Sequence, residues 1–420
     1  MGVQPLKDNS RILLASLAGT AVEFYDFFIY ATAAALVFGP LFFPSESAAA
    51  QTLLSFMSFG IAFIARPIGA IAFGHFGDRV GRKSTLVASL LLMGGSTLAI
   101  AFLPTYAMVG WVAPALLCLL RFGQGFGLGG EWGGAALLAV ENAPKGWAAR
   151  FGAAPQLGSP LGFLAANGLF LLLGLLLSDA EFLDWGWRIP FMASALLVAI
   201  GMWVRFRIDE TPAYRHAVET EAPVALPIIY VLSKHPGALL AGAAGVIATF
   251  AAFYLTTAYA LAQAVSLGYA REDFLGILLG ANLFYALGIV ISAILADRTS
   301  PGRSIALGAI GTALFGFIFG PGLASGSLLL AGMTIATGMF VLGLTNAPLG
   351  YWLSQLFPVK VRYSGMSLAF NAGGIVGGAL TPIAAQMMSA GGMGQYAGLL
   401  LTAAGLSTLI GVKFARPVSE

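Results

Sequence analysis

Long apolar blocks dominate the chain, each about twenty residues or more and separated by short polar segments. A helix of that length matches the thickness of a bilayer core. Of the 420 residues, 58% are hydrophobic and only 9% are charged, whereas soluble domains carry about 25% charged residues. Because a surface so poor in charge would not stay in water, the pattern predicts an all-α membrane protein.

Several functional classes have no support in the sequence. A net charge of +3 gives no electrostatic basis for nucleic-acid binding. Cys118 is the only cysteine and the three histidines are scattered, so neither an internal disulfide nor a metal site is expected. Gly125, Gly127 and Gly130 have a dinucleotide-binding spacing, but no strand precedes them. We therefore expect no cofactor and no enzymatic activity.

Twelve of the apolar blocks are expected to cross the membrane as helices. The first contains Glu23 and Asp26, and acids disfavour a cleaved signal, so we expect this block to be retained. The predicted spans are 12–39, 52–76, 85–103, 107–140, 150–177, 187–206, 236–263, 274–296, 303–321, 326–353, 364–389 and 395–414.

The spans divide into two sets of six around one long polar stretch, 207–235, which we interpret as a cytoplasmic linker. An Asp-Arg pair follows span two at Asp78 and span eight at Asp297, and the loops after spans four and ten also resemble each other at nearly the same separation. A repeat of this kind predicts two pseudo-symmetric six-helix bundles, 1–206 and 236–420.

The basic residues predict the orientation, because Lys and Arg collect in cytoplasmic loops. With the N-terminus inside, nearly all of them fall on the inner side. The opposite loops hold only Arg188 and Arg271, beside several acids. We expect a multi-pass inner-membrane protein with both termini in the cytoplasm.

Several motifs resemble the major facilitator superfamily. The segment GHFGDRVGRK at 74–83 is similar to its loop between helices two and three. More narrowly, VEFYDFFIY at 22–30, QGFGLGGEWGGA at 124–135, GWRIPF at 186–191 and VRYSG at 361–365 resemble the metabolite:proton symporter family. The resemblance implies the twelve-helix fold of that superfamily. It also implies proton-coupled transport of dicarboxylates, tricarboxylates, shikimate-like acids, or betaines and proline.

Charges inside a bilayer are costly and usually functional. Away from their ends, the predicted spans hold five of them, all in the first half. We expect Glu23, Asp26 and Glu131 to couple protons, because a buried carboxylate near an arginine can load and release a proton as its surroundings change. We expect Arg121, with Gln124 one helical turn away, to bind substrate.

The remaining candidates are assigned to substrate contact and to gating. Aromatic and amide side chains supply the further substrate-binding candidates: Tyr30, Tyr254, Asn282, Tyr285, Asn346 and Asn371. The gating candidates are Arg66 and the residues of or near the signature loop: Gly74, Asp78, Arg79, Gly81, Arg82, Glu141 and Arg150. We expect Asp78 to face the N-terminus of span eleven, where the helix dipole favours a carboxylate, and Arg82 or Arg150 to pair with Glu141.

The sequence as a whole predicts a proton-coupled symporter of a small polar metabolite, most simply an organic acid anion, working as a monomer by alternating access. A carrier of a zwitterion such as betaine or proline is the alternative within transport, because two arginines face three carboxylates. A membrane metabolite sensor is the alternative from another class. The expected partners of the predicted symporter are a small-molecule substrate, protons and the lipid bilayer.

Overall fold

The computed structural model describes residues 10–45, 47–80, 82–129, 131–207 and 227–418. Nearly all of them are helical, and these ranges contain no strand. Twelve spans follow one another in the chain: Ser10–Leu36, Ala48–Val80, Arg82–Ile100, Val112–Leu128 continued by Glu131–Glu141, Ala148–Leu176, Arg188–Arg207, Pro236–Ser266, Arg271–Arg298, Pro301–Leu323, Leu328–Ser354, Arg362–Ala390 and Leu399–Phe414. We refer to them as span one to span twelve.

Among the described residues, eight helices are long and apolar enough to cross a membrane by themselves, and a bent pair, Asp179–Gly186 with Arg188–Ile200, makes a ninth. Shorter apolar helices at Val87–Ile100 and Val112–Leu128 form parts of spans three and four. The predicted all-α membrane fold is therefore confirmed. Short helices Phe38–Phe42, Tyr106–Val109 and Pro227–Lys234 lie between spans.

Packing within the two halves follows one scheme with an offset of six spans. In the first half, span one packs on span five, and span four packs on spans two and three. In the second half, span seven packs on span eleven, and span ten packs on spans eight and nine. Spans five and eight, and spans two and eleven, join the halves. This repetition is the architecture that duplicated six-helix units produce.

We call the end where span one begins the terminal face and the other end the distal face. Small residues let the spans approach closely. A Cβ on Gly125 of span four would collide with the backbone of Ala62 in span two, and one on Gly162 of span five would collide with the backbone of Ala21 in span one. Glycine at these positions brings the side chains of spans one, two and four into one cluster.

Several spans are not continuous α-helices. Span four, predicted as one segment from 107 to 140, has two described parts: Val112–Leu128 ends in a turn at Gly129, and Glu131–Glu141 follows Gly130, which lies outside the described residues. Spans seven and eleven each contain a π-helical segment, Leu255–Tyr259 and Ile375–Leu380. Such interruptions free backbone groups and are common at functional sites.

The predicted linker is partly helical. Span six extends to Arg207, and Pro227–Lys234 forms a short helix before span seven. Residues 208–226, the centre of the predicted linker, lie outside the described residues.

Candidate functional site

Two arginine side chains converge on one phenylalanine between spans one, two and four. The guanidinium carbon of Arg121 lies 4.2 Å from the ring centre of Phe27, and that of Arg66 lies 4.4 Å from the same ring. Arg121 also faces the rings of Tyr30 at 4.0 Å and Phe59 at 4.7 Å. Within about 6 Å, a ring face attracts a cation, so the aromatic cluster holds both charges in an apolar environment.

A line of hydrogen bonds runs from Arg121 to span one. Arg121 Nη1 donates to Gln124 Oε1 (3.0 Å), Gln124 Nε2 donates to Thr97 Oγ1 (2.8 Å), and Thr97 Oγ1 is 3.1 Å from Asp26 Oδ2. All four side chains are buried. The spacing of Arg121 and Gln124 thus brings them into direct contact, whereas Asp26 reaches them only through Thr97 of span three.

Some polar atoms of this cluster have no partner. Arg121 Nη2, Arg66 Nε and Asp26 Oδ1 are buried without a hydrogen bond. Within the described part of the chain, neither arginine is within salt-bridge distance of a carboxylate. A buried unpaired guanidinium is costly, and membrane proteins retain such charges for function.

A cavity lies beside this cluster and between the two halves. Its volume is about 40 Å³, enough for a few water molecules, since one needs about 10–15 Å³ on this measure. A metabolite therefore fits only after the helices move. The lining residues are Glu23, Phe24, Phe27, Arg66, Leu128, Gly129, Gly133, Phe250, Tyr254, Ser367, Phe370 and Asn371.

The predicted residues of the second half fall into two groups. Tyr254 and Asn371 line the cavity, and Asn371 Nδ2 donates to the Gly129 carbonyl at the interruption of span four (3.3 Å). Tyr285 and Asn346 bond each other instead, at 2.5 Å.

Asn282, like Tyr285 and Asn346, does not line this cavity, but it contacts the first half of the chain. Its Nδ2 donates to the Pro160 carbonyl of span five (2.8 Å). Tyr30, the remaining candidate, shares a hydrogen bond with Ser58 of span two (2.9 Å) while its ring covers Arg121.

A salt bridge joins the halves at the terminal face. Asp297, at the end of span eight, accepts from the backbone amides of Ala149 (2.8 Å) and Arg150 (3.2 Å), and from Arg150 Nε (2.6 Å). The expected pairing of Arg150 with Glu141 is therefore wrong, because the carboxylate of Asp297 caps the first turn of span five and lies beside Arg150. Glu141 is instead 3.9 Å from Arg362.

Other gating predictions concern positions that are not described. The side chains of Asp78, Arg79 and Arg82, the burial of Gly74 and the whole of Gly81 lie outside what the structure describes. The side chain of Glu131 is also outside them.

The distal face has its own contact between halves. Arg271, at the start of span eight, is 3.1 Å from Asp179, just after span five, and its guanidinium covers the ring of Phe182 at 4.2 Å. Spans five and eight are thus bridged at both ends, with the Asn282 bond between them.

Sequence reasoning missed Thr97, Phe27, Phe59 and Asp297. Thr97 and the phenylalanines are neutral and occur in apolar blocks like many others, so nothing in the sequence distinguishes them. Asp297 had a signal, since the Asp-Arg pair of the repeat includes it.

Comparison with known proteins agrees with this architecture. A family profile described as "Sugar (and other) transporter" matches residues 12–236. The chain is 46% identical to the inner membrane metabolite transport protein YhjE of Escherichia coli, over 96% of this chain and 94% of that one. It is 39% identical to the Escherichia coli shikimate transporter, over 91% and 89%. The proline/betaine transporter of Salmonella typhimurium is 28% identical over 96% and 83%.

Solved structures share the fold. A D-xylose-proton symporter superposes with a TM-score of 0.77 over 97% of this chain and 98% of that one, at 18% identity.

Proposed function

The chain belongs to the sugar and other transporters of the major facilitator superfamily, and from that premise we propose that it carries a small organic acid anion across the membrane together with protons. Its place among multi-pass inner-membrane metabolite transporters follows from its relatives and its apolar helices. The relatives support a metabolite transporter, and the anionic substrate and the coupling to protons are our proposal.

The observation that carries the proposal is the state of Arg121. Its guanidinium is fully buried, surrounded by three aromatic rings, and keeps Nη2 without a hydrogen bond. A guanidinium binds a carboxylate through two parallel N–H bonds, and this one meets no carboxylate among the described residues. A substrate carboxylate supplies the missing negative charge. The shikimate transporter, at 39% identity, is an example of a relative named for an acid.

The acids of span one support proton coupling. Asp26 is buried beside Thr97, and Glu23 lines the cavity with Arg66. A carboxylate in such a position gains or loses a proton according to the charge nearby. Binding of an anion next to the arginines therefore favours a proton on the neighbouring acid, which links the two ligands.

Transport by this site requires alternating access. The halves touch at the terminal face through Arg150 and Asp297 and at the distal face through Arg271 and Asp179. The cavity between these contacts is too small for a metabolite. We propose that each face opens in turn, that both termini are cytoplasmic, and that a monomer suffices, because one chain supplies the whole cavity.

A carrier of a zwitterion is the second candidate, and the aromatic lining of the cavity is the observation that supports it. Phe27, Phe250 and Tyr254 line the same cavity as Glu23. Aromatic faces with a carboxylate suit a quaternary ammonium group. The relative named for proline and betaine shares this candidate's substrate class.

Uptake into proteoliposomes tests the proposal. Labelled shikimate, 2-oxoglutarate, citrate, glycine betaine and proline are offered with an inward proton gradient, with the same gradient plus an uncoupler, and with none. We expect concentrative uptake of at least one acid, abolished by the uncoupler.

Empty vesicles and vesicles with Arg121→Ala serve as controls. Uptake of only the zwitterions would replace the acid by the second candidate. Concentrative uptake of an acid that survives the uncoupler would refute proton coupling while leaving the substrate class intact.

A further inference from the structure

Thr97 of span three occupies the only described polar link between Asp26 of span one and Arg121 of span four. Its side chain is fully buried. Its Oγ1 accepts from Gln124 Nε2 (2.8 Å), and Gln124 Oε1 accepts from Arg121 Nη1 (3.0 Å). No direct ion pair joins Arg121 to Asp26 among the described residues.

The Thr97 hydroxyl has one hydrogen and two acceptors for it. Asp26 Oδ2 is 3.1 Å away and the Met93 carbonyl is 2.9 Å away. A hydroxyl donates once and accepts up to twice. The hydrogen therefore points to one acceptor at a time, while the oxygen continues to accept from Gln124.

We propose that Thr97 is a positioning residue that transmits the protonation state of Asp26 to Arg121, an inference that rests on the proposed proton-coupled transport of an acid. Ionised Asp26 is the stronger acceptor and takes the Thr97 hydrogen. The polarised Thr97 oxygen then holds Gln124 firmly, and Gln124 holds Arg121.

Protonation of Asp26 reverses this arrangement. The carboxyl O–H donates to Thr97 Oγ1, and the Thr97 hydrogen turns to the Met93 carbonyl. The Thr97 oxygen then accepts from two donors, Asp26 and Gln124, so its bond to Gln124 weakens. Gln124 in turn holds Arg121 less firmly. Arg121 is free to direct its N–H groups to a substrate carboxylate, and substrate affinity rises with proton binding.

Other ionisable groups surround Asp26 but lack this link. Glu23 and Tyr25 share its helix, and the Tyr25 hydroxyl donates to the Pro190 carbonyl of span six (2.9 Å). Arg66 of span two covers Phe27. Span four carries Arg121, Glu131, whose side chain is not described, and Glu141, which is exposed at the end of the span. Spans five and six carry charged residues only near their ends, at Arg150 and Arg188 and at Arg205 and Arg207, whose side chains are not described.

The experiment measures substrate affinity at low and high pH in purified, reconstituted protein. The probes are labelled shikimate, 2-oxoglutarate and citrate, and the variants are Thr97→Val and Thr97→Ser. Coupling between two ligands usually changes affinity by about 5- to 150-fold. We expect the ratio of the substrate affinities at low and high pH to lie in that range for the wild type and for Thr97→Ser, which keeps the hydroxyl. For Thr97→Val we expect this ratio to be below about twofold.

Thr312→Val is the matched control. Thr312 is equally buried, but its hydroxyl bonds only the Gly308 carbonyl of its own helix (2.9 Å), so this variant keeps the wild-type ratio. If Thr97→Val does not fold, Gln124→Leu removes the hydrogen bonds of Gln124 to Thr97 and Arg121, and the same affinity ratio is measured with the same expected result. Either variant with the wild-type ratio overturns the role of Thr97 and leaves the proposed function standing. A wild type whose affinity is independent of pH, or that binds none of the three acids, overturns both.

Discussion

Three aromatic rings surround the guanidinium of Arg121. Rings of Phe27, Tyr30 and Phe59 cover it, while one of its terminal nitrogens bonds Gln124 and the other bonds nothing. Planar stacking suits a guanidinium better than an ammonium group, and so does two-point binding of a carboxylate. The position therefore distinguishes arginine from lysine more sharply than charge alone.

Arg121→Lys keeps the charge and removes the fork. A charge-assisted hydrogen bond contributes about 1.5–3 kcal/mol, so we expect acid binding to weaken roughly ten- to a hundredfold, with normal expression. Affinity measured with the transported acid checks this. Near-normal affinity would mean that Arg121 serves only to balance charge, and Arg121→Ala would then be rescued by also removing Asp26.

At this scale, the sequence predicted the charged residues and not their environment. Arg121 and Gln124 were paired correctly because residues three apart share a helix face. The bond from Gln124 to Thr97 joins two different spans, and single-sequence periodicity carries no information on which spans meet. The same limit explains why Phe27 was missed although its neighbours Glu23 and Asp26 were selected.

Spans five and eight form the most completely bridged pair between the halves. Arg150 with Asp297, Pro160 with Asn282, and Asp179 with Arg271 connect them at the terminal face, in the middle and at the distal face. Asp297 is the best buried of these acids, and it also caps the first turn of span five.

Asp297→Asn is expected to slow transport while leaving the fold intact. The carboxylate at a helix N-terminus contributes about 0.3–1 kcal/mol, or up to about 2 when partly buried. Its loss destabilises closure of the terminal face. The initial uptake rate at equal protein level is the measurement, and Asp184→Asn, an exposed acid on the distal side, is the control. Equal rates for both variants would show that the cap does not control the cycle.

The elements themselves were largely predictable. Apolar length located all twelve spans, because only a helix of that length satisfies its backbone inside a bilayer. The interruption of span four and the π segments of spans seven and eleven were not predicted. They depend on packing against neighbouring helices, and glycine-rich apolar sequence also forms continuous helices.

At the scale of the molecule, the two halves touch on both sides of the cavity. Towards the distal face, span two meets span eleven: a Cβ placed on Gly60 would lie 3.5 Å from the Cβ of Ala379. This separation is within the usual range for a disulfide. A covalent link there would prevent the halves from separating at the distal face.

Gly60→Cys with Ala379→Cys, in a background with Cys118→Ala, should therefore transport after reduction and stop after oxidation. The recovered uptake on adding a thiol reductant is the measurement, and the Gly60→Cys single variant under oxidant is the control. If the cross-linked protein transports as fast as the same protein after reduction of the disulfide, transport does not require the halves to separate between these two positions.

The interruption of span four also brings main-chain groups to the cavity. Val112–Leu128 ends there with its carbonyl groups, and Glu131–Glu141 begins there with its amide groups, while Leu128, Gly129 and Gly133 all line the space. Helix ends carry about half an elementary charge each, negative at the carbonyl end and positive at the amide end. Because the two ends carry opposite charges and lie within a few residues of each other, their charges largely cancel at a distance, and a bound metabolite meets them only as hydrogen-bonding groups of the main chain in direct contact.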